Sequence, residues 1–397
     1  MILREWQVDA LQFFKKHLNS IYTVSTGAGK SVFAIQCIKK ILEDDPTVKV
    51  MIISPKNVIL EQTWLDELNV NGFPINKVGI YNQCAKEFSQ ITLCSIQSLG
   101  NVIRSGIYEY YDFVIFDEIH NYGTTNYLKY LIIPKKYKIG LTATLEREDN
   151  NYIVIKKIFD FNIFNYGIEQ SIKDGILNKF EFININLELN EEDQEKYNEI
   201  SKNINVIIKN NGTGKINQIA NEIDRNRLLK YIHERKELVD KNKLKRQAVI
   251  NIIKENINSK IIVFNQYNVI SKDLYWDLSD EYITSGIINS DISKPNQIKT
   301  FNNFENDKCN ILLTTTMTDE GYNLPKIDVA IIMSQNSTNK QFIQRMGRVL
   351  RKKKHNSKVY YLTICNTYEE KIYHKRKDFI KKISNSFTEI NYKPKSL

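Results

Sequence analysis

Between Lys135 and Lys294 the chain has no proline, and its seven prolines are otherwise scattered singly. So long a stretch without the residue that removes an amide donor and breaks helices excludes a proline-rich linker and leaves room for long helices. No apolar run approaches the roughly 18 residues of a membrane span, and Arg4 and Glu5 stand so near the initiator that no secretory leader is expected. The five cysteines (Cys37, Cys84, Cys94, Cys309, Cys365) are odd in number, far apart and mostly set in apolar patterns. They form no iron–sulfur set and no disulfide framework, and are expected as reduced core residues. Carboxylates are also in short supply: 46 Asp and Glu face 56 Lys and Arg, for a formal charge of +10. That balance favours a polyanion partner, and the missing span and leader make a cytoplasmic location the expectation.

What is present is α/β patterning. From Ile21 to Ala143 the runs YTVS, VKVMIIS, ITLCS, DFVIFDE and YKIGLTA read as buried parallel strands alternating with amphipathic stretches. A second set, KIIVFN, CNILLTTT, VAIIMS and KVYYLTIC, occupies Lys260 to Cys365. Two doubly wound domains are therefore expected, 1–165 and 166–397. The charged stretch between them reads as helices broken near Asn210–Gly214, an insert at about 190–247, with FEFININLEL ahead of it as the first strand of the second domain.

TGAGKS, Thr26 to Ser31, lies between strand-like YTVS and a helix-spaced stretch. Gly27 and Gly29, on either side of Ala28, let backbone N–H groups approach phosphates; Lys30 would reach the β and γ oxygens of ATP, and Ser31 would hold Mg²⁺. Val24 stands where the wider pattern has a glycine, and GTGK at Gly212–Lys215 lacks a following Ser or Thr and reads as a turn. Arg4 and Gln7 of LREWQ share a helical face, and a Gln amide suits adenine. DEIH ends an apolar strand, so Asp117 is placed to hold Mg²⁺ and Glu118 to activate water. The hydroxyls of Thr142 and Thr144, after YKIG, suit coupling of phosphate state to other contacts. TTTMTDEGYNLP offers Thr315, Thr316 and loop amides to nucleic-acid phosphates. QRMGRVLR, Gln344 to Arg351, carries three arginines on about two helical turns, a spacing suited to charge on a transferring phosphoryl group.

In their order these segments, with SPKNVILEQ, SIQSL and GLTATLERED, resemble the motif series of superfamily 2 DNA helicases. The resemblance is strongest to the XPB-like branch, which includes compact phage branch-migration helicases. It implies two tandem RecA-like domains with a thumb-like helical insert, nucleotide between the domains, and movement 3′ to 5′. It gives the finger role to Arg348 and Arg351 with Gln344 nearby, and makes Arg345 structural. Gly321 would lie at the nucleotide. Pro55, Lys56, Gln62, Ser95, Thr315 and Thr316 match positions on the nucleic-acid backbone, and His120, Arg147, Glu148 and Asp149 match coupling positions. Three departures stand out: Trp64 is one residue further from Gln62 than the usual Gln-Trp, Gln297 replaces a common Arg, and Ile119 is the third residue of DEIH. The chain also starts almost at LREWQ, so the amino-terminal recognition domain of larger relatives is expected to be missing.

The leading expectation is an ATP-dependent DNA helicase or translocase that unwinds or branch-migrates forked, branched or single-stranded DNA in recombination, repair or replication. Two others stay open: an RNA helicase or transcription-release ATPase, and an ATP-switched clamp that separates no strands. DNA is favoured over RNA because no aromatic stacking module is visible. Oligomeric state is left open.

Overall fold

The computed structural model describes residues 3–55, 59–145, 150–214, 216–315, 327–335, 342, 346–347, 349–350 and 356–392, with the backbone alone at 59, 61, 62 and 217. Contacts divide the chain into two units. The first comprises Met1–Asn178 and a short later stretch that includes Gly347 and Leu350; the second begins at Lys179.

In the first unit, β1 (Asn19–Val24), β2 (Val50–Ser54), β3 (Val78–Tyr81), β4 (Ile91–Ser95), β5 (Phe113–Phe116), β6 (Tyr137–Thr142) and β7 (Ile163–Tyr166) form one sheet in the order β3-β4-β2-β5-β6-β1-β7. Every pairing is parallel. Helices cover both faces, so the central strands are buried throughout: VMIIS and FVIF have no solvent-facing residue. The expected boundary at 165 falls inside β7, which pairs with β1. Tyr166 of β7 stacks on Trp6 of the helix Glu5–Lys16 at 5.1 Å, tying this strand to the first core.

The second unit has β8 (Phe180–Leu187), β9 (Ile261–Phe264), β10 (Gly286–Ile288), β11 (Ile311–Thr314), β12 (Val329–Ile332), β13 (Ser357–Ile364) and β14 (Ser386–Asn391) in the order β10-β11-β9-β12-β13-β8-β14. All of these pairings are parallel as well. Strand for strand this repeats the first order, with β8 in the place of β1, so FEFININL is the founding strand of the second sheet.

After β8 come the helices Glu191–Asn211 and Glu222–Asp240, which bury Ile204, Ile207, Ile219 and Leu228 in a small core of their own. Gly212, left-handed at φ 63°, ends the first of them, as expected of a break there. Asn190, Asn221 and Asn242 each cap a helix through the side-chain oxygen. The expected end of the insert near 247 falls inside the helix Lys243–Glu255, whose Ala248, Val249, Ile252 and Ile253 pack into the core of the second sheet. Among the described residues no helix is long and apolar enough to cross a membrane.

Candidate active site at the carboxyl edge of the first sheet

Three adjacent strands, β5, β6 and β1, deliver the candidate residues to one edge of the sheet, where parallel α/β folds bind ligands. After β1 the chain turns through the phosphate loop into the helix Lys30–Asp44. Gly27 (φ 82°) and Gly29 (φ 95°) take left-handed backbone there, and a Cβ on Gly29 would lie 3.0 Å from Gln7 Nε2. Gln7 is buried: its Nε2 donates to the Gly29 carbonyl at 3.1 Å, and its Oε1 accepts the Arg4 backbone N–H at 3.0 Å. Arg4 Nη1 donates to the Ala28 carbonyl at 2.6 Å. Both ends of the Gln7 amide are thus engaged by protein, and Gln7 and Arg4 together brace the loop.

Lys30 Nζ donates back to the Val24 carbonyl at 3.2 Å, across the loop it would serve, and Ser31 follows it half-buried. Gly347 lies against the loop's first residue: a Cβ there would come within 2.6 Å of Thr26 Cβ.

Asp117 extends β5, its N–H donating to the Ile53 carbonyl at 2.8 Å. Its carboxylate accepts Trp64 Nε1–H on Oδ2 and the Glu118 N–H on Oδ1, each at 3.0 Å. Glu118 has left-handed backbone (φ 47°), a conformation that costs a non-glycine residue about 1 kcal/mol and recurs where function requires it. His120 is buried, with Nδ1 2.8 Å from Thr142 Oγ1 and 3.3 Å from Glu118 Oε2. Because the Thr142 hydroxyl donates to the Thr144 carbonyl at 2.7 Å, it accepts from His120, which places the proton on Nδ1. The ends of β5 and β6 are thereby linked through His120, Thr142 and Thr144.

The departures have structural reasons. Ile119 fills the space beside Gly140 of β6, where a Cβ would come within 2.2 Å of Ile119 Cδ1. Gln297 is buried and donates through Nε2 to the carbonyls of Asn289 (2.9 Å) and Ile292 (2.7 Å), holding the turn ahead of its own helix. Residues Ile59–Trp64 form a π-helix, whose wider turn takes up the extra residue before Trp64.

The nucleic-acid candidates are placed less favourably. Ser95 is wholly buried in register with Ser54, and Thr315 is 4% exposed. Pro55 is half-buried, its carbonyl accepting Gln97 Nε2 at 3.0 Å. Lys56, Arg147, Glu148, Asp149, Thr316, Gly321, Gln344, Arg348, Arg351 and the Gln62 side chain lie outside the described residues. Trp64 and Gly347 are site neighbours that the motif reading missed; the only signal was the displaced Gln-Trp spacing.

In the second sheet the place equivalent to the phosphate loop, after β8, is a cavity of about 310 Å³ lined by Glu188, Glu191, Glu195, Leu189, Gln194 and Asn366. Three carboxylates there repel a polyphosphate, so only the first sheet offers a phosphate site of this kind among the described residues.

Residues 1–147 match the family described as type III restriction enzyme, res subunit, and residues 244–353 match the helicase conserved C-terminal domain. Over 370 residues the chain is 24% identical to the DNA 3'-5' translocase XPB2 of Sulfurisphaera tokodaii, covering 88% of this chain and 79% of that one. The chain is a superfamily 2 helicase of the XPB-like kind. This helicase is also 22% identical to Putative helicase 22 of Sulfolobus islandicus filamentous virus, over 98% of this chain and 69% of the relative. In fold it is similar to the Hef helicase domain of Pyrococcus furiosus, with a TM-score of 0.63 at 17% identity, over 94% of this chain and all of the other. The helicase is built from tandem RecA-like domains, and it is an ATP hydrolase.

Proposed function

We propose that the protein is a DNA helicase or translocase that moves 3′ to 5′ and unwinds or branch-migrates forked and junction DNA. The observation that carries the reading is the convergence, on the neighbouring strand ends of β1, β5 and β6, of the braced loop with Lys30, of Asp117 and Glu118, and of the His120–Thr142–Thr144 chain. The XPB2 relative, by its name a 3'-5' DNA translocase, supports the polarity and the polymer. A formal charge of +10 supports backbone tracking, which is sequence-tolerant and salt-sensitive.

In this reading Lys30 and the loop amides hold the phosphates of ATP, Glu118 orients the attacking water, and Arg348 and Arg351 face the charge that develops on the γ-phosphoryl group, with Gln344 and Gly321 beside the nucleotide. Ser31 and Asp117 offer a sparse, hard oxygen set that fits Mg²⁺, a cation that keeps much of its water and takes the rest of its ligands from phosphate. When bound, Mg²⁺ supplies charge neutralisation at the β and γ oxygens. Thr142 and Thr144, with Arg147, Glu148 and Asp149, convey the state of this site to the polynucleotide contacts at Pro55, Lys56, Gln62, Ser95, Thr315 and Thr316. Because Ser95 and Thr315 are buried, their part in those contacts is to shape the backbone that carries them.

The test is a panel of forked, flapped and four-way DNA junctions, with matched RNA forks, processed by wild type and by Glu118→Gln. Wild type should hydrolyse ATP faster with DNA and process junctions, and Glu118→Gln should bind ATP and process none. Equal ATP turnover with and without DNA would defeat the proposal, and processing of RNA forks alone would give the enzyme the other polymer.

A further inference from the structure

Trp64 combines three properties. It is 1% exposed, its indole N–H donates to Asp117 Oδ2 at 3.0 Å, and it is the last residue of a π-helix, Ile59–Trp64. An aromatic side chain needed only to fill the core would be served as well by Phe; an indole whose single donor meets a carboxylate does a second job. A hydrogen bond to a charged acceptor is stronger than a neutral one and directional. The other oxygen of Asp117 accepts the Glu118 N–H, so the carboxylate plane is fixed from two sides. An i→i+5 turn is intrinsically unfavourable and recurs at functional sites. Here it swings Trp64 under the end of β5, where Asp117 projects.

We propose that Trp64 is a positioning residue for the Asp117 carboxylate, and that through the π-helix it ties that carboxylate to the segment after β2. The inference rests on the proposed Mg²⁺-holding role of Asp117. Ligand carboxylates depend on the groups that orient them, and loss of such a partner typically weakens metal affinity by about 10- to 100-fold. The indole therefore sets how much Mg²⁺ strengthens nucleotide binding, and it has no bearing on binding without the cation.

The experiment measures the equilibrium affinity of the full chain for ADP with Mg²⁺ and with chelator, in wild type, Trp64→Phe and Asp117→Asn. In Trp64→Phe the factor by which Mg²⁺ tightens ADP binding should drop about tenfold, with unchanged affinity in chelator. A factor equal to that of wild type overturns the proposal, and so does an equal loss with and without Mg²⁺, which would mark a packing role. Asp117→Asn separates the two levels: if it keeps the full Mg²⁺ factor, the metal-holding reading of Asp117 is itself wrong.

A second measurement needs no change at Trp64. The chain has three tryptophans, Trp6, Trp64 and Trp276, and their indole N–H signals can be followed by NMR in nucleotide-free protein. Asp117→Asn should move one indole signal, identified by its loss in Trp64→Phe, and leave the other two in place. An unmoved Trp64 signal would overturn the hydrogen bond and the proposal with it.

Discussion

Ile119 occupies the space that any side chain on Gly140 would need, for a Cβ there would meet Ile119 Cδ1 at 2.2 Å. The third residue of DEIH and a glycine in the neighbouring strand β6 are therefore one packing unit, and each explains the other.

Gly140→Ala should accordingly destabilise the first unit by about 1–3 kcal/mol, the usual cost of overpacking. Ile119→Ala alone should also destabilise it, by leaving a cavity. Combined, the two changes should cost less than their sum by at least ~1 kcal/mol, because each relieves the other. Urea unfolding of the four proteins measures this, and strict additivity would show that Ile119 is not the obstacle.

Gln7 supplies a second test because its amide is engaged at both ends by the loop and by Arg4. Loss of two hydrogen bonds, each worth a net ~1 kcal/mol, should weaken nucleotide binding by Gln7→Ala up to about thirtyfold. Since the role is bracing, ADP and GDP should suffer alike. A loss confined to ADP would return Gln7 to adenine recognition.

Much of this was legible before any coordinates. Continuous β-branched runs such as VMIIS and FVIF could only be strands covered on both faces, and the edge those strands share had to carry TGAGKS, DEIH and TAT. The edge strands were not legible. VGIY, IFNY and GII are short, and SFTEIN of β14 is almost wholly exposed, so none of them shows the long apolar run by which the others were read. Only the charged opening turn of the helix Lys243–Glu255 looked like insert, whereas its apolar face, from Leu244 onward, meets the core of the second sheet. Side-chain partnerships were beyond the motifs altogether. Nothing in LREWQ says that Gln7 reaches the Gly29 carbonyl, and the displaced Trp64 looked like a defect until the π-helix placed it on Asp117.

Thr142 accepts from His120 and donates to Thr144 at once, so Thr142→Val breaks both links while keeping the shape. ATP turnover should stay within a few-fold of wild type, and strand separation per ATP should fall about tenfold, a typical coupling energy between linked sites. Parallel loss of turnover and unwinding would place Thr142 in the chemistry and not in its transmission.

A last prediction concerns charge inside the second unit. Lys245 Nζ lies 2.6 Å from Glu369 Oε1 and 3.6 Å from Asp240 Oδ1, and all three side chains are fully buried. Two carboxylates thus face one ammonium. Burial is the main force raising Glu369, to about 7; Lys245 opposes it and the like charge of Asp240 adds to it. Burial raises Asp240 as well. An acid whose folded value lies above its unfolded value near 4.5 binds its proton more tightly when folded. Its contribution to stability is complete below that unfolded value and is lost as pH rises through the folded one. Wild type should therefore lose stability from this cluster between about pH 4.5 and 7, by at most ~1.4 kcal/mol per pH unit for one proton. Asp240→Asn leaves one carboxylate on one ammonium, lowers the folded pKa of Glu369, and should flatten that slope. Denaturant unfolding across this pH window gives the comparison, and superimposable slopes for the two proteins would mean that Asp240 does not govern the proton on Glu369.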